Sequence, residues 1–505
     1  MLKIVALSLL ALASSASCSV LSPRYRVSTG GCASACDFLK NVLQENITTT
    51  ASDAVSYTGL QAGYYSSFNS ELAPACFALP ATAEEVALVV KTAKFFQCPF
   101  AVKSGGHSYF KGANSIQSGI SIDLRRLNQI TPNDDGTASI GPGNQWVQVY
   151  ETLDPLGLTV MGGRVASIGV GGLLLSGGLS FLHPSQGFGC DHVRSYQIVT
   201  ARGEILEVNE QNYSDLFWAL RGGGNNFGIV TRFDLDTVPQ KNYWGGGIYY
   251  DISQLDTLLA AYDKLAQPET ADVKATTWFA PVYLPKLFTW LINVEPVYLD
   301  PVATTPEIFK PFIEAPGQIS NTVRITNTSS LSRDTATTPG SASAEWDITM
   351  KMNTEVVYYI KQRIEEGALN HPALDVINFP VQALPKSTLS HTGNRGGNAL
   401  GLSEADGPLL IVQLGLSWAA NATTAADDDA IIALGETFVA ELKQWSVDKG
   451  LAHRYIYMNY AGQNQDVFAG YGPENQARLK RVAKKYDPEG IFQGLLPGGK
   501  KLFST

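Results

Sequence analysis

The stretch Lys103-Ser104-Gly105-Gly106-His107-Ser108 decides the fold when it is read with a second glycine-rich segment, GVGGLLLSGG at residues 169–178. Glycines at this density let the backbone approach a bulky anionic ligand and offer it N–H groups where side chains would collide. Neither segment matches the phosphate-binding loop G-x-x-x-x-G-K-S/T, and the second lacks the G-x-G-x-x-G spacing. Either segment alone is weak evidence, because such runs are often ordinary turns. The two glycine-rich segments together, in this order, are specific evidence for a site that binds such a ligand.

The length and charge of the chain narrow the possible classes of function. With 505 residues it can form two domains with substantial cores, while its net charge of −9 argues against a nucleic-acid-binding surface. Residues 1–17 combine Lys3, a short apolar core and a run of small residues, which predicts a secretory signal. No later stretch has the roughly 18 uninterrupted apolar residues that span a bilayer. We therefore expect a secreted monomer that binds neither nucleic acid nor a membrane.

Cysteines and glycosylation sequons favour an oxidising location outside the cytoplasm. Cys32, Cys36, Cys76 and Cys98 all lie early in the chain, which predicts two disulfides without fixing their pairing. Cys18 borders the predicted cleavage region and is set aside, and Cys190 is predicted to be a buried free thiol. No cysteine–histidine spacing typical of a metal site occurs, so no metal is expected. Four N-x-S/T sequons support export: Asn46, Asn212, Asn327 and Asn421.

Hydrophobic periodicity before residue 240 alternates between strand and helix. The capping box Thr82-Ala83-Glu84-Glu85 predicts the start of a helix, and the strand-like residues 100–102 lead into the first glycine loop. Further strands are predicted at 120–124, 196–201, 204–208 and 228–233, and further helices at 145–153 and 214–220. This mixture indicates an α+β fold.

The sequence changes character near Val238-Pro239, where glycine loops give way to aromatic and β-branched stretches. Such stretches occupy 243–250 and 276–283, and long helices are predicted at 253–265 and 427–445. Near the C-terminus, residues 455–460 are strand-like, and an apolar stripe that includes Leu479 and Val482 predicts a helix ending at Asp487-Pro488. We therefore divide the chain into a signal (1–17), a first domain (18–238, with its core at 76–235), a second domain (239–454) and a C-terminal segment (455–505) that returns to the first domain.

Five motifs together resemble the FAD-linked oxidases of the vanillyl-alcohol-oxidase superfamily, in its berberine-bridge-enzyme-like branch. They are SGGHS at 104–108, the loop at 169–178, RGGGNNFGIVT at 221–231, YMNY at 457–460 and YGPENQARLKRVAKKYDPEGIF at 471–492. The resemblance implies an α+β fold with a PCMH-type FAD-binding domain made from both ends of the chain. It also implies a substrate domain whose antiparallel sheet, flanked by helices, covers the flavin.

The resemblance further implies how FAD is held. The motif histidine, His107, would carry a covalent bond to the flavin, which a neutral imidazole nitrogen can form. Many relatives have a second bond to a cysteine, but Val165 stands at that position, so we expect a single link. Ile168 occupies the position that controls oxygen access, and its β-branched side chain favours an oxidase. The remaining expected FAD contacts are Ser104, Gly105, Gly106, Ser108, Gly171, Gly172, Gly177, Gly178, Val230 and Asn459.

Oxidation of an alcohol requires a base for the hydroxyl proton while hydride leaves the carbon. The resemblance brings the YMNY segment to the flavin, so Tyr457, Asn459 and Tyr460 are the catalytic candidates. In a strand, Tyr457 and Asn459 share one face and Tyr460 takes the other, and the sequence leaves open which tyrosine meets the substrate. Arg454 is a possible cation for a phenolate. Weaker candidates come from the second domain: His391, Arg395, Asn398, Gln413 and Trp418.

These expectations define one leading function and two alternatives. The leading one is a secreted FAD-dependent oxidase that acts on an alcohol (a small metabolite or a sugar) or an amine-bearing small molecule, with O₂ as acceptor and H₂O₂ as product. The first alternative is a dehydrogenase that passes electrons to a different acceptor. The second is a flavin-binding glycoprotein with little turnover, because a fold does not by itself establish a function.

Overall fold

The computed structural model describes residues 29–240, 242–267, 272–336 and 339–503. The predicted secretory signal at 1–17 lies outside these ranges. Within them, no helix has the length and apolar character needed to cross a membrane.

A small sheet delivers the first glycine loop. Its strand order is β1-β2-β4-β3, with β2 and β3 parallel to β4 and β1 antiparallel to β2. The strands are β1 (Ile47–Thr48), β2 (Cys76–Ala78), β3 (Phe100–Lys103) and β4 (Ile120–Asp123). The predicted helix start is confirmed, because Thr82 accepts a hydrogen bond from the backbone N–H of Glu85 at 3.2 Å and begins a helix that crosses from β2 to β3. The capping box is only half formed, since the Glu85 carboxylate accepts the Ala81 N–H at 2.7 Å. The loop at 104–108 therefore leaves the carboxyl end of β3.

Two disulfides tie the N-terminal helix to this sheet, as predicted. Cys32 pairs with Cys98, after the crossover helix, and Cys36 pairs with Cys76 at the start of β2. Cys190 is a buried free thiol, which confirms that prediction too. The helices of this region are α1 (Thr29–Leu43), α2 (Ala54–Gln61), α3 (Ser67–Ser70) and α4 (Ala83–Phe96).

A second, antiparallel sheet follows the order β5-β6-β10-β8-β9, and β7 pairs with the far end of β10. Its strands are β5 (Ile130–Pro132), β6 (Thr137–Ile140), β7 (Leu158–Val160), β8 (Val193–Val199), β9 (Ile205–Asn209) and β10 (Ile229–Pro239). The strands predicted at 196–201 and 204–208 correspond to the antiparallel pair β8–β9. The helices α5 (Trp146–Leu153), α6 (Val170–Leu175), α7 (His183–Gln186) and α8 (Ser214–Leu220) accompany it. Trp146, Tyr196 and Trp218 are buried in its core.

A third, larger antiparallel sheet is built after residue 240. Its main path is β15-β12-β14-β13-β18-β20-β17, and β11, β16 and β19 pair at its sides. The strands are β11 (Tyr243–Gly245), β12 (Ile248–Asp251), β13 (Ala275–Leu284), β14 (Thr289–Tyr298), β15 (Gln318–Asn321), β16 (Arg324–Thr326), β17 (Ala342–Lys351), β18 (Leu374–Asn378), β19 (Val381–Leu384) and β20 (Leu409–Trp418).

The two faces of this sheet differ in chemistry. Along β14, Trp290, Ile292 and Val294 are buried in the core, whereas Asn293 and Glu295 on the opposite face are half-buried. That alternation is typical of an antiparallel sheet with one face against a core. The core also contains residues from helices α9 (Leu255–Ala266), α12 (Glu355–Glu365) and α14 (Ala425–Asp448). The polar face is therefore turned towards the glycine loops.

The remaining helices are α10 (Lys310–Ile313), α11 (Thr328–Asp334), α13 (Lys386–Leu389), α15 (Val467–Gly470), α16 (Pro473–Tyr486) and α17 (Ile491–Gly494). The predicted strand at 455–460 is wrong. Residues 458–460 form a 3₁₀ turn, and the segment before it is extended without ladder partners. The Asp347 carboxylate explains this, because it accepts the Tyr457 N–H at 2.7 Å in place of a backbone carbonyl.

Candidate active site

A cavity of about 490 Å³ lies between the glycine loops and the polar face of the third sheet. Most predicted site residues line it: Ser104, Gly105, Gly106, His107, Ser108, Ile168, Gly171, Gly172, Val230, Tyr457, Asn459 and Tyr460. Gly177 and Gly178 do not. Their carbonyls accept the N–H groups of Cys190 and Gly189, both at 2.8 Å, and both glycines have positive φ. They shape the backbone behind the loop without facing the cavity.

The two glycine loops touch each other and leave one side open. A Cβ on Gly105 would lie 2.5 Å from the Gly169 Cα, so only glycine permits this contact. Ser104 joins the loops by accepting the Gly171 N–H at 3.1 Å, which occupies that N–H group. A Cβ on Gly172 would meet nothing within 4 Å, and the Oδ1 of Asn114 on the cavity wall is buried without a partner among the described residues. An open backbone edge and an unpaired acceptor fit a large polar cofactor such as FAD.

His107 is placed in the cavity as a neutral imidazole. Its ring stacks on Tyr65 with centroids 4.0 Å apart, and its Nε2 lies 3.2 Å from the Ser167 hydroxyl. Burial lowers the pKa of His107 to about 4, so the ring is neutral and nucleophilic at ordinary pH. Val165 also lines the cavity, whereas no cysteine of the described chain does.

The turn at 457–460 brings both tyrosines and Asn459 to the same cavity, where a strand would have separated them. Asn459 Nδ2 donates to the Tyr457 hydroxyl at 3.0 Å, and the two tyrosine rings meet edge to face at 4.8 Å. Tyr460 accepts hydrogen bonds at 3.1 Å from Arg164 Nη2 and from Gln382 Nε2. Burial raises the pKa of both phenols, and the Arg164 guanidinium opposes that rise at Tyr460.

Arg164 is therefore the cation beside the phenol, and the expectation for Arg454 is wrong. Arg454 lies outside the cavity and donates to the carbonyls of Gly470 and Gly401 at 2.8 and 2.5 Å. Sequence reasoning missed Arg164 because 296 residues separate it from Tyr460. Its position directly before Val165, next to the second glycine loop, was the available signal.

The sheet contributes a second group that the sequence did not single out, Glu345. Its Oε2 accepts a hydrogen bond from Gln413 Nε2 at 2.7 Å, and the Tyr109 phenol interacts with the same carboxyl. Burial raises the pKa of Glu345 to about 8, which keeps the carboxyl mostly protonated at neutral pH. Glu345 and Gln413 both line the cavity. The group is thus a candidate hydrogen-bond donor to a ligand.

The other candidates from the second domain are structural. Trp418 faces the helices, where its indole donates to Asp428 at 2.7 Å. Asn398 donates to the buried carboxylate of Asp191 at 2.7 Å, and Arg395 donates to the Asp191 carbonyl at 3.0 Å. His391 does not line the cavity. These contacts hold the 391–398 loop against the second sheet.

Comparison with known proteins agrees with this geometry. A profile of the FAD binding domain family matches residues 74–209. The FAD-dependent monooxygenase FUP4 of Fusarium proliferatum (strain ET1) is 35% identical over 93% of this chain and 94% of its own length. The FAD-dependent monooxygenase tpcD of Cochliobolus heterostrophus is 33% identical over 94% and 95%.

Solved structures show the same fold. Arthrobacter nicotinovorans 6-hydroxy-D-nicotine oxidase superposes with a TM-score of 0.73 at 21% identity, over 88% of this chain and 96% of that one. The BBE-like 1 protein of Physcomitrella patens gives 0.70 at 19% identity, over 92% and 100%. The chain belongs to the family of FAD-dependent proteins that includes FUP4 and tpcD, and it has the fold of the berberine-bridge-enzyme-like proteins. The protein is an FAD-dependent oxidoreductase, and its α+β fold is confirmed.

Proposed function

We propose that the protein is a secreted oxidase that removes hydride from an alcohol carbon and uses O₂ as acceptor, giving H₂O₂. The observation that carries this is the pairing of Arg164 with Tyr460 in the cavity that also contains His107. Burial raises the pKa of Tyr460 and the Arg164 guanidinium offsets part of that rise, which makes the phenolate, the form that can accept a hydroxyl proton, easier to reach. An amine-bearing carbon is a second substrate that the same groups could serve.

FAD would be held by the residues of both glycine loops. When bound, FAD supplies the hydride acceptor. His107 would carry the single covalent link, and the backbone of Gly105, Gly106 and Gly172 would approach the pyrophosphate. Ser104 accepts the Gly171 N–H and would thereby hold the two glycine loops in the arrangement that receives FAD. The predicted contacts Ser108, Ile168, Val230 and Asn459 lie on the same cavity wall.

Tyr460 is proposed as the base, and Tyr457 with Asn459 as the pair that positions it. The hydroxyl proton of the substrate would move to the Tyr460 oxygen, while Gln382 and Arg164 hold that oxygen in place. The buried Tyr457 contacts the Tyr460 ring and bonds to Asn459, so it fixes the orientation of the ring.

Secretion as a monomeric glycoprotein completes the proposal. Two disulfides support passage through an oxidising compartment. The sequons differ in accessibility: Asn212 and Asn421 are exposed, whereas the Asn46 amide is buried and donates to the Glu85 carboxylate at 3.2 and 3.1 Å. We therefore propose glycans on Asn212 and Asn421 and none on Asn46.

The names of the relatives FUP4 and tpcD, both FAD-dependent monooxygenases, favour a second candidate function, in which an oxygen atom enters the product. One experiment separates the possibilities. The protein is mixed anaerobically with panels of alcohols, sugars and amines while flavin bleaching is followed, and any active substrate is then oxidised under ¹⁸O₂. Bleaching, rapid recovery in air and H₂O₂ without label in the product support the oxidase. Label in the product indicates a monooxygenase, and a flavin that stays reduced in air indicates a dehydrogenase. Absence of bleaching with every compound contradicts the proposal.

A further inference from the structure

The Arg164 guanidinium is a buried cation that has no counter-ion in the described part of the chain. Its side chain is buried, at 6% exposed surface, and lies over the Trp278 ring with 4.9 Å between the guanidinium carbon and the ring centre. Nη2 donates to Gln382 and to Tyr460, and both acceptors are neutral in the resting protein because burial raises the pKa of the Tyr460 phenol. In the described part of the chain, Arg164 forms no ion pair with a carboxylate. A buried charge is costly unless it is paired, so an anion is expected beside it.

Trp278 adds a second donor at the same place. Its indole N–H is buried and has no partner among the described residues, although Trp278 lines the cavity. Glu295 interacts electrostatically with Arg164, and Glu345 with Tyr460, and burial raises the pKa values of Glu345 and Glu295 to about 8 and about 7. Neither therefore supplies a full negative charge at neutral pH. The guanidinium of Arg164 and the indole N–H of Trp278 would therefore be satisfied by an anionic acceptor from outside the chain.

The cavity walls indicate what carries that acceptor. Tyr65, Tyr109, Trp278 and Tyr460 present aromatic rings to the space, which suits a planar, conjugated ligand. Guanidinium N–H groups bind carboxylate oxygens with charge-assisted hydrogen bonds, and a carboxylate has enough oxygen lone pairs to accept the indole N–H too. We propose that Arg164 and Trp278 bind the carboxylate of an aromatic or conjugated acid. That this acid is the substrate rests on the proposed function.

Binding of matched probes tests this site without relying on turnover. Benzoate, phenylacetate and trans-cinnamate are titrated into the oxidised, FAD-loaded protein, each beside its primary amide, and binding is followed by the flavin absorption spectrum and by calorimetry. We expect at least one carboxylate to bind about tenfold more tightly than its amide, as one charge-assisted hydrogen bond would give. Arg164→Gln should remove that preference and Arg164→Lys should keep part of it. Trp278→Phe, which keeps an aromatic ring and removes the N–H, should weaken the carboxylate several-fold.

Arg194→Gln is the matched control, because Arg194 is an exposed arginine paired with Asp236 away from the cavity. It should leave all affinities unchanged. The proposal is overturned if no carboxylate binds more tightly than its amide, or if folded Arg164→Gln protein keeps the preference. Should Arg164→Gln fail to fold, the wild-type pairs and Trp278→Phe decide the question. Carboxylate binding without flavin reduction by any alcohol would count against the oxidase function and leave the carboxylate site standing.

Discussion

At the scale of single residues, His107 combines the features that a flavin attachment site needs. It lines the cavity, stacks on Tyr65 and, with a pKa of about 4, is neutral over the whole range in which proteins are usually handled. We expect acid-precipitated protein to stay yellow, and His107→Ala to release all flavin into the supernatant. His391→Ala is the control, because His391 does not line the cavity, and it should behave as wild type. Colourless wild-type precipitate, or a flavin–cysteine peptide, would contradict a single link through His107.

Tyr460 and Tyr457 differ in their partners, which separates their expected roles. Only Tyr460 accepts a hydrogen bond from Arg164, so Tyr460→Phe should lower the rate of flavin reduction by roughly 10²-fold or more, the size of a lost acid–base group. Tyr457→Phe keeps the ring contact and should cost less. Stopped-flow reduction under anaerobic conditions measures both. If Tyr460→Phe reduces flavin as fast as wild type, the base lies elsewhere, and Glu345 on the sheet is the next group to change.

Ile168 controls oxygen access in our proposal. Its backbone is fixed by hydrogen bonds to Trp146 and Val165 at 3.0 and 3.2 Å, while its half-buried side chain lines the cavity. Ile168→Leu moves a methyl group without changing charge, so it should slow reoxidation in air and leave reduction by substrate nearly unchanged. The measurement is double-mixing stopped flow. If Ile168→Val accelerates reoxidation by orders of magnitude, the native residue blocks oxygen and the protein is a dehydrogenase.

At the scale of elements, strand β17 determines the shape of the site. Successive side chains on a strand point to opposite faces, so Trp346 packs in the core while Glu345 and Asp347 face the other way. Glu345 meets the cavity, and Asp347 holds the Tyr457 N–H. Gln465 adds to this by accepting the Asp347 N–H at 3.0 Å and the Gly462 N–H at 2.9 Å. One strand thus supplies a ligand-facing carboxyl and anchors the turn that carries Tyr460.

Glu345 also makes stability depend on pH. Its pKa in the folded protein is about 8, above the ordinary value of 4.5. The folded protein therefore keeps a proton that the unfolded chain releases, and the contribution of Glu345 to stability falls as pH rises from about 4.5 to about 8. The glutamine of the Glu345→Gln variant resembles the protonated carboxyl and does not titrate. That variant therefore does not lose this contribution to stability as the pH rises.

We expect Glu345→Gln to match wild type in thermal midpoint near pH 5 and to exceed it near pH 8 by a few °C, since about 1 kcal/mol shifts a large domain by roughly 2–4 °C. Differential scanning calorimetry at the two pH values measures the shift. Glu366→Gln, at an exposed position beside Arg363, is the control and should show no such gain. An identical pH dependence in wild type and Glu345→Gln would contradict the raised pKa.

At the scale of the whole molecule, the motif RGGGNN at residues 221–226 forms hydrogen bonds with the C-terminal residues. Asn225 Nδ2 donates to the Gly498 carbonyl at 3.0 Å, and Asn226 Nδ2 donates to the Lys500 carbonyl at 2.9 Å. Lys500 in turn donates through Nζ to the carbonyls of Gln463 and Gln465 at 3.0 and 3.2 Å. The C-terminal residues are thereby joined both to the second sheet and to the segment that follows the Tyr457–Tyr460 turn.

The disulfides act on the same scale, because they attach α1 to the sheet that delivers the first glycine loop. Cys36–Cys76 closes a long loop, and its removal by a double serine substitution should cost about 2–4 kcal/mol of stability through the wider unfolded ensemble. Urea unfolding measures the change. Reductant should lower the stability of wild type, while Cys190→Ser protein should respond to reductant as wild type does, because Cys190 is unpaired. Full stability of the double variant would contradict a stabilising role.

The sequence by itself determined the features that depend on local spacing. The N-cap at Thr82, the helices at 83–96 and 473–486, the glycine loops and the existence of two disulfides all follow from residue types at short separations. The resemblance to the FAD-linked oxidases implied that His107 and the segment 457–460 share one site, and both line the same cavity. Hydrophobic periodicity and backbone chemistry act over a few residues, which is why these predictions hold.

Only the tertiary structure decided which distant groups meet. It paired the cysteines, replaced the expected strand at 457–460 by a turn held by Asp347, and put Arg164 in the place expected for Arg454. It also turned Glu345 and Gln413 towards the cavity and Trp418 away from it. Each of these depends on how the third sheet lies over the glycine loops. A sequence specifies the alternation of faces along a strand, but the distances between atoms of remote segments are fixed only when the sheets pack.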